Sequence, residues 1–290
     1  MIYKYCGFTI STERLFPSFH SCYNDKIDLI ITSTNNDFKY SKSGDIFFQD
    51  DNNYVLNFGE KGYYKITKNQ IMCCFDDDNF INATICNIPM SIVSILNNKI
   101  PCHCSSVILK NQVGVILFLA EKGTGKSTLA FLANKLLDYK IFGDDMVTIE
   151  RKNGIFYANQ GSSNIKVCKD LIDCFDIKSS NEEVYQGLNK FYYSPKNNYL
   201  SDEIVQLNNI FIIERSEKFK IEKLPPMFCR TFLARNIVGI DVIQKLLIKE
   251  INASLNKLTN ISLFKLFVPD SIDDLSANLQ TIFEEIEKVF

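Results

Sequence analysis

With 290 residues, 46% of them apolar, the chain is long enough for one large domain or two modest ones and too hydrophobic to be disordered. Lys and Arg number 32 against 34 Asp and Glu, so the net charge is -2 and the pI about 5.8. No basic run is present, so nothing electrostatic points to nucleic acid or an anionic membrane as partner.

The first residues, MIYKYCGFTISTERLF, carry no secretory signal, and no stretch is apolar for long enough to span a bilayer. The ten cysteines are scattered, as buried small hydrophobes or free thiols are. These features together read as a soluble, cytoplasmic protein.

The first hundred residues read as short strands. YVLNFG and YYKIT flank the turn Glu60-Lys61-Gly62, a hairpin signal. Ser43-Gly44-Asp45 marks another turn, and QIMCCF (70–75) is a strand that runs into a solvated acidic loop, Asp76-Asp77-Asp78-Asn79. At Asn87 the period changes. Asn87 suits a cap, Pro89 a first turn, and Ile88, Ile92, Ile95 and Leu96 fall on one helical face. This organisation predicts a small β-rich N-terminal domain over 1–97 and a second domain over 98–290.

Cys102-His103-Cys104 superficially resembles a metal site. On one strand, however, His103 points away from both thiols, and no CxxC or HxxxH partner exists elsewhere. By itself His103 reads as a strand histidine satisfied in the core. SSVILK (105–110) and VGVILFLA (113–120) follow as strands with Asn111-Gln112 between them, the second apolar as a strand buried on both faces should be.

AEKGTGKSTLA (120–130) comes next, and STLAFLANKLLDY is helical, with Leu129, Leu132, Leu136 and Leu137 as its expected stripe. Strand, glycine loop and helix are the setting a phosphate-binding loop requires. Residues Ala120, Glu121, Lys122, Gly123, Thr124, Gly125, Lys126, Ser127 and Thr128 would surround the phosphates with backbone N–H groups at a helix N-terminus. Gly123 and Gly125 allow positive φ, Lys126 reaches the terminal phosphates, and the Ser127 hydroxyl is placed for Mg²⁺. Ala120 stands where the motif has its first glycine, and is tolerable there at negative φ.

YKIFGDDMVTI (139–149) reads as a strand bearing Asp144 and Asp145. Alternation would put one carboxylate toward a metal and the other toward an acceptor. Phosphoryl transfer needs both.

IPCHCSSVILKN, AEKGTGKSTLA and IFGDDMVTI, in this order, resemble the bacterial HPr kinase group. The resemblance extends to GIFYANQGSSNIKVCKDLI (154–172), to Lys190, to IVQLNNIFIIE and to the opening YKYCGFTISTERLFP. It covers most of the chain and is specific between about 101 and 149. It implies an α/β fold, a PEP-carboxykinase-like P-loop kinase core behind a small β-rich domain, and ATP- and Mg²⁺-dependent phosphorylation of a serine.

The resemblance further implies that Lys126 and Ser127 bind phosphate and metal, that Asp144 is the base toward the acceptor hydroxyl, and that Asp145 binds Mg²⁺. It also puts His103 near the phosphates. Two departures stand out: Ala120, and the absence of the glutamate-arginine-glycine signature that follows the Asp-Asp strand in true HPr kinase/phosphorylases. The departures count against HPr as substrate and against the reverse phosphorolysis. Kinases of this divergent type are similar to those encoded beside ribosomally made peptides, and that resemblance implies a serine-containing peptide or protein, foremost a ribosomally made precursor peptide, as the expected substrate.

A small-molecule kinase on the same core and a nucleotide-binding protein without turnover remain as alternatives. A GTPase-like switch ranks below them, since the Asn-Lys-x-Asp pattern is absent. Oligomeric state is open, a homo-oligomer included. Arg230 and Arg235 read as surface or helix-packing residues, beside a segment with Pro225 and Pro226 placed to cover the site. Lys166 and Lys190 carry no assigned role. Apolar stripes predict helices over 237–258 (Ile240, Ile243, Leu247, Ile251, Leu255) and at the C-terminus (Leu275, Leu279, Ile282, Ile286), the latter opened by a Ser271–Asp274 capping box.

Overall fold

A computed structural model describes all residues except 24–25, 36, 38, 41–45, 51–52, 111–113, 163, 176, 178–188, 196–203 and 259–260. The turns expected at Ser43-Gly44-Asp45 and Asn111-Gln112 lie outside the described residues.

The N-terminal strands are β1 (Ile2–Tyr5), β2 (Phe8–Thr12), β3 (His20–Ser21), β4 (Leu29–Thr34), β5 (Phe47–Asp50), β6 (Asn53–Asn57), β7 (Gly62–Ile66) and β8 (Gln70–Phe75). They form one sheet in the order β3-β1-β2-β4-β8-β7-β6-β5. The β6–β7 hairpin forms where the sequence placed it, with Leu56 opposite Tyr64.

The acidic run is a helix start rather than a loop. Asp77 caps α1 (Asp78–Thr84), its carboxylate accepting the Asn79 N–H at 2.9 Å. Helix α2 (Ile88–Leu96) follows, and Asn87 occupies its cap position without making a side-chain cap bond.

The rest of the chain supplies β9 (Ile100–Cys102), β10 (Cys104–Ile108), β11 (Val115–Leu119), α3 (Lys126–Leu137), β12 (Ile141–Gly143), β13 (Val147–Lys152), β14 (Ile155–Asn159) and β15 (Ile165–Cys168). After these come α4 (Lys169–Cys174), β16 (Lys190–Tyr193), β17 (Val205–Gln206), β18 (Asn209–Arg215), β19 (Lys220–Leu224), α5 (Met227–Arg235), α6 (Ile240–Asn256), β20 (Ser262–Val268) and α7 (Ile272–Glu287). A six-stranded sheet runs β12-β10-β11-β18-β20-β19, with β11, β18 and β20 parallel. A four-stranded sheet runs β17-β14-β13-β9, and β15 pairs with β16. The protein is thus a mixed α/β structure.

Strand β11 shows why its sequence is apolar throughout. Val115, Leu117 and Leu119 pack into a core shared with the N-terminal sheet, α2 and α6. Ile116 and Phe118 point the other way, into a second core built with α3 and α7. Burial on both faces leaves no position for a polar side chain. The first core runs from Tyr3 to Leu263, so much of the apolar surface of residues 1–97 is buried together with the remainder of the chain, while Val55, Tyr63 and Cys74 form a small core of their own.

Helical stripes follow the sequence with local exceptions. Leu129 and Leu132 of α3 are buried, whereas Leu136 is exposed and its place is taken by Phe131 and Ala133. On α6 the stripe from Ile243 to Leu255 is buried, with Ile240 partly so and a kink at Leu247. Ser271 accepts the Asp274 N–H at 3.0 Å to open α7, whose Leu275, Leu279, Ile282 and Ile286 are all buried. No single helix among the described residues is long and apolar enough to cross a membrane.

Two expected strands are each broken in two. Residues 139–149 form β12 in the six-stranded sheet and β13 in the four-stranded one, with Asp144 and Asp145 between them. Residues 100–108 divide in the same way into β9 and β10, with His103 at the break. β10 pairs with β12 and β9 with β13, both antiparallel, so the two chains cross between sheets side by side. The crossing brings His103 and the aspartates to one place. It also corrects the single-strand view of Cys102-His103-Cys104: both thiols are fully buried, on different strands.

Candidate active site

The loop leaves β11 at the C-terminal edge of the parallel strands. Gly123 has φ +88° and Gly125 +99°, left-handed values that disfavour any side chain. Ala120 is not among the positive-φ residues, and its methyl is buried in the second core. No side chain caps α3, so its first-turn N–H groups face the loop. Glu121 and Lys122 are exposed, while Thr124 and Thr128 are partly so.

Arg215, at the end of β18, braces the loop. Its Nε donates to the Thr124 carbonyl at 2.8 Å and its Nη1 to the Pro269 carbonyl. A Cβ on Gly125 would come within 2.1 Å of Nη2 of the same guanidinium. Nothing in the sequence distinguishes Arg215 from other arginines, because the brace depends on the parallel β11–β18 pairing.

Lys126 is buried and folds over its own loop, donating to the carbonyls of Ala120 (2.8 Å) and Glu121 (3.2 Å). Burial pulls its ammonium below the usual lysine range, against the nearby Asp144 and Asp145 carboxylates.

Asp144 is the most engaged group in the site. Its Oδ1 accepts from Ser127 at 2.9 Å and from Ser105 at 2.5 Å, and its Oδ2 from the Lys166 N–H at 3.1 Å. Its own N–H donates to the Ser162 carbonyl at 2.8 Å. Burial, and then the charge of Asp145, push the carboxyl up to about 6 despite these bonds.

Asp145 lies differently. Its φ of +65° turns it out of the strand, so simple alternation does not describe the pair. Its carboxylate pairs with the Lys166 ammonium, and 37% of its side chain is exposed. Burial would raise it, but the charge and hydrogen bond of Lys166 hold it below the usual carboxylate range. Lys166 is held above its usual range by the same pairing, although burial opposes this.

His103 donates its backbone N–H to the Asn236 carbonyl at 2.7 Å, and its ring is half-buried. Burial and the Lys126 charge lower its proton affinity, with Asp145 opposing, so the ring is neutral at pH 7. His103, Lys126, Ser127, Asp144 and Asp145 therefore converge. Arg230 does not join them: it donates to Asn252 on α6 at 2.8 Å, on the surface. Arg235 is exposed.

Ser105 and Ser106 are adjacent buried hydroxyls on a strand whose other residues are apolar, and such groups require partners: Ser105 finds Asp144 and Ser106 the Gly143 carbonyl. Among the described residues no cluster of His, Cys, Asp and Glu forms a protein-only metal site, and the ten cysteines are free thiols.

No family model matches the sequence, and no curated protein matches it. Among solved structures, the HPr(Ser) kinase/phosphatase from Coxiella burnetii is similar over 64% of this chain and 90% of that one. The identity is 12% and the TM-score 0.34, too low to carry an assignment.

Proposed function

We propose that the protein is an ATP- and Mg²⁺-dependent phosphotransferase acting on a serine hydroxyl of a peptide or protein, foremost a ribosomally made precursor peptide. One observation carries the reading: the carboxylate of Asp144 is bonded to the hydroxyl of Ser127, the loop residue whose type and position suit a metal. Two hard oxygen donors side by side, next to a left-handed glycine loop on an uncapped helix, form a donor set suited to Mg²⁺ and phosphate.

This geometry favours exchanging the roles that the resemblance implies for the aspartates. Ser127 and Asp144 would hold Mg²⁺, which when bound neutralises phosphate charge. Asp145, partly exposed and steadied by Lys166, would orient the acceptor hydroxyl and take its proton as the oxygen bonds to the γ-phosphorus and the bond from that phosphorus to the departing ADP breaks. Lys126 would release the loop carbonyls to meet the transferring phosphate, and neutral His103 would donate a hydrogen bond beside it.

The test is phosphoserine formation on serine peptides with ATP across a Mg²⁺ titration, read by mass spectrometry. Transfer that requires Mg²⁺ supports the reading. Binding of Mg²⁺ and ATP with no transfer to any hydroxyl would leave a nucleotide-binding protein without turnover.

A further inference from the structure

Asp145 is at the centre of a tight turn. The Met146 N–H donates to the Asp144 carbonyl, two residues back, at 2.8 Å, and Asp145 between them has φ +65°. A three-residue turn closed in this way at positive φ is rare and strained for a residue with a side chain. It persists only where its surroundings over-determine it.

The surroundings here are the residues just before β15. The Asp144 N–H donates to the Ser162 carbonyl at 2.8 Å. Gly161 packs against the exit of the turn so closely that a Cβ on it would lie 1.8 Å from the Met146 carbonyl oxygen. Gly161 and Ser162 thus back the turn on both sides of Asp145.

That backing segment is held in turn by the N-terminal sheet. The Cys6 N–H donates to the Gln160 carbonyl at 2.7 Å, a backbone bond open to almost any residue. The second bond belongs to a side chain: Nε2 of His20, on β3, is 2.9 Å from the Gly161 carbonyl. A carbonyl only accepts, so Nε2 carries the proton and donates. Burial lowers the proton affinity of this half-buried ring and keeps it neutral at pH 7.

We infer that His20 is a positioning residue: by holding the Gly161 carbonyl it fixes the strained turn that aims the Asp145 carboxylate. The N-terminal sheet is then part of the catalytic arrangement rather than a separable module. The kinetic consequence rests on the phosphotransferase reading above, whereas the contact itself does not.

The test therefore has two arms, both on the full chain. In the first, hydrogen exchange over residues 142–149 should quicken about tenfold in His20→Ala, while His20→Gln, which offers an N–H at similar reach, should stay near wild type. In the second, His20→Ala should lower kcat for serine-peptide phosphorylation about tenfold at saturating Mg²⁺ and ATP, and His20→Gln should restore it. Added to Asp145→Asn, His20→Ala should cost less than about twofold more, because it acts through that carboxylate. Val55→Ala, in the small core with Tyr63 and Cys74, is the control: it should lower Tm but leave exchange at 142–149 and kcat within about twofold. Unchanged exchange in His20→Ala, a glutamine variant that behaves like alanine, losses that multiply in the double variant, or a Val55→Ala control that reproduces them would each overturn the inference. If wild-type protein transfers no phosphate to any hydroxyl, the phosphotransferase reading falls, and the exchange arm still decides whether His20 holds the turn.

Discussion

Ser127 and Asp144 are 17 residues apart in the chain, yet the serine hydroxyl donates to the carboxylate at 2.9 Å. The contact joins the first turn of α3 to the crossing between β12 and β13. Asp145, next in sequence, is turned away by its positive φ and pairs with Lys166. The two neighbouring carboxylates therefore have different work open to them.

Substitution should separate them. Asp144→Asn is expected to raise the Mg²⁺ concentration needed for ATP binding by about tenfold or more. Asp145→Asn should leave that requirement nearly unchanged and lower kcat by about a hundredfold or more. Mg²⁺ titrations of ATP binding and of phosphoserine formation read both effects. If the Mg²⁺ requirement moves with Asp145→Asn instead, Asp144 is the base and Asp145 the metal ligand.

Lys126→Ala should lower kcat by about a hundredfold, because it removes a charge-assisted contact to the transferring phosphate. The ammonium is held over the loop by the Ala120 and Glu121 carbonyls, poised rather than committed to a structural ion pair. Single-turnover transfer measures the loss. Wild-type rates in this variant would remove the loop from the chemistry.

Much of this site could be read from the sequence because its parts are local. The loop conformation depends on Gly123 and Gly125, and the strand before it and the helix after it are set by apolar period. The Asp-Asp pair was visible as residues but not as geometry. The alternation argument assumes one strand, whereas the chain changes sheets at Asp144, and a sheet change depends on distant partners such as Ser162. Arg215 and Lys166 reach the site only through tertiary pairing, so no short window of sequence singles them out. Asn87 is the helix boundary that the sequence marks, but its side chain makes no cap bond.

Ala120→Gly should change ATP affinity by less than about twofold, because Ala120 already has a φ open to any residue and contributes no side chain to the loop. Its buried methyl does matter to the second core. Losing it and adding glycine flexibility should reduce stability by about 1 kcal/mol. Thermal unfolding and nucleotide titration together check the pair of expectations. A large gain in affinity would mean that the native loop is impaired.

The proton affinity of Asp144 predicts a pH dependence. Its carboxyl is pushed up to about 6 by burial and by Asp145, well above an unfolded aspartate near 3.8. A raised value favours the protonated folded state, so this contribution to stability is complete below about pH 4 and is lost as pH rises through 6. Asp145 shifts the opposite way, and its contribution is lost only as pH falls through its lowered range. Without Mg²⁺, the Tm should therefore decline between pH 4 and 6.5, and Asp144→Asn should flatten that decline. An unchanged slope in the variant would place the titration elsewhere.

Arg215 tests whether the loop is prearranged. The guanidinium binds the Thr124 and Pro269 carbonyls and packs against Gly125, tying the loop to the end of β18 and to the segment after β20. Arg215→Ala removes both bonds and leaves the loop free to sample other conformations, so ordering it on binding costs more. ATP affinity should fall by about tenfold, while kcat at saturating ATP falls much less, because Lys126, Asp144 and Asp145 are untouched. Arg215→Lys keeps the charge but cannot make both bonds in the same plane, and should lie between the two. If Arg215→Lys behaves as wild type, charge alone is what Arg215 supplies. If Arg215→Ala lowers kcat as deeply as Lys126→Ala, the guanidinium reaches the transferring phosphate and acts in the chemistry rather than behind it.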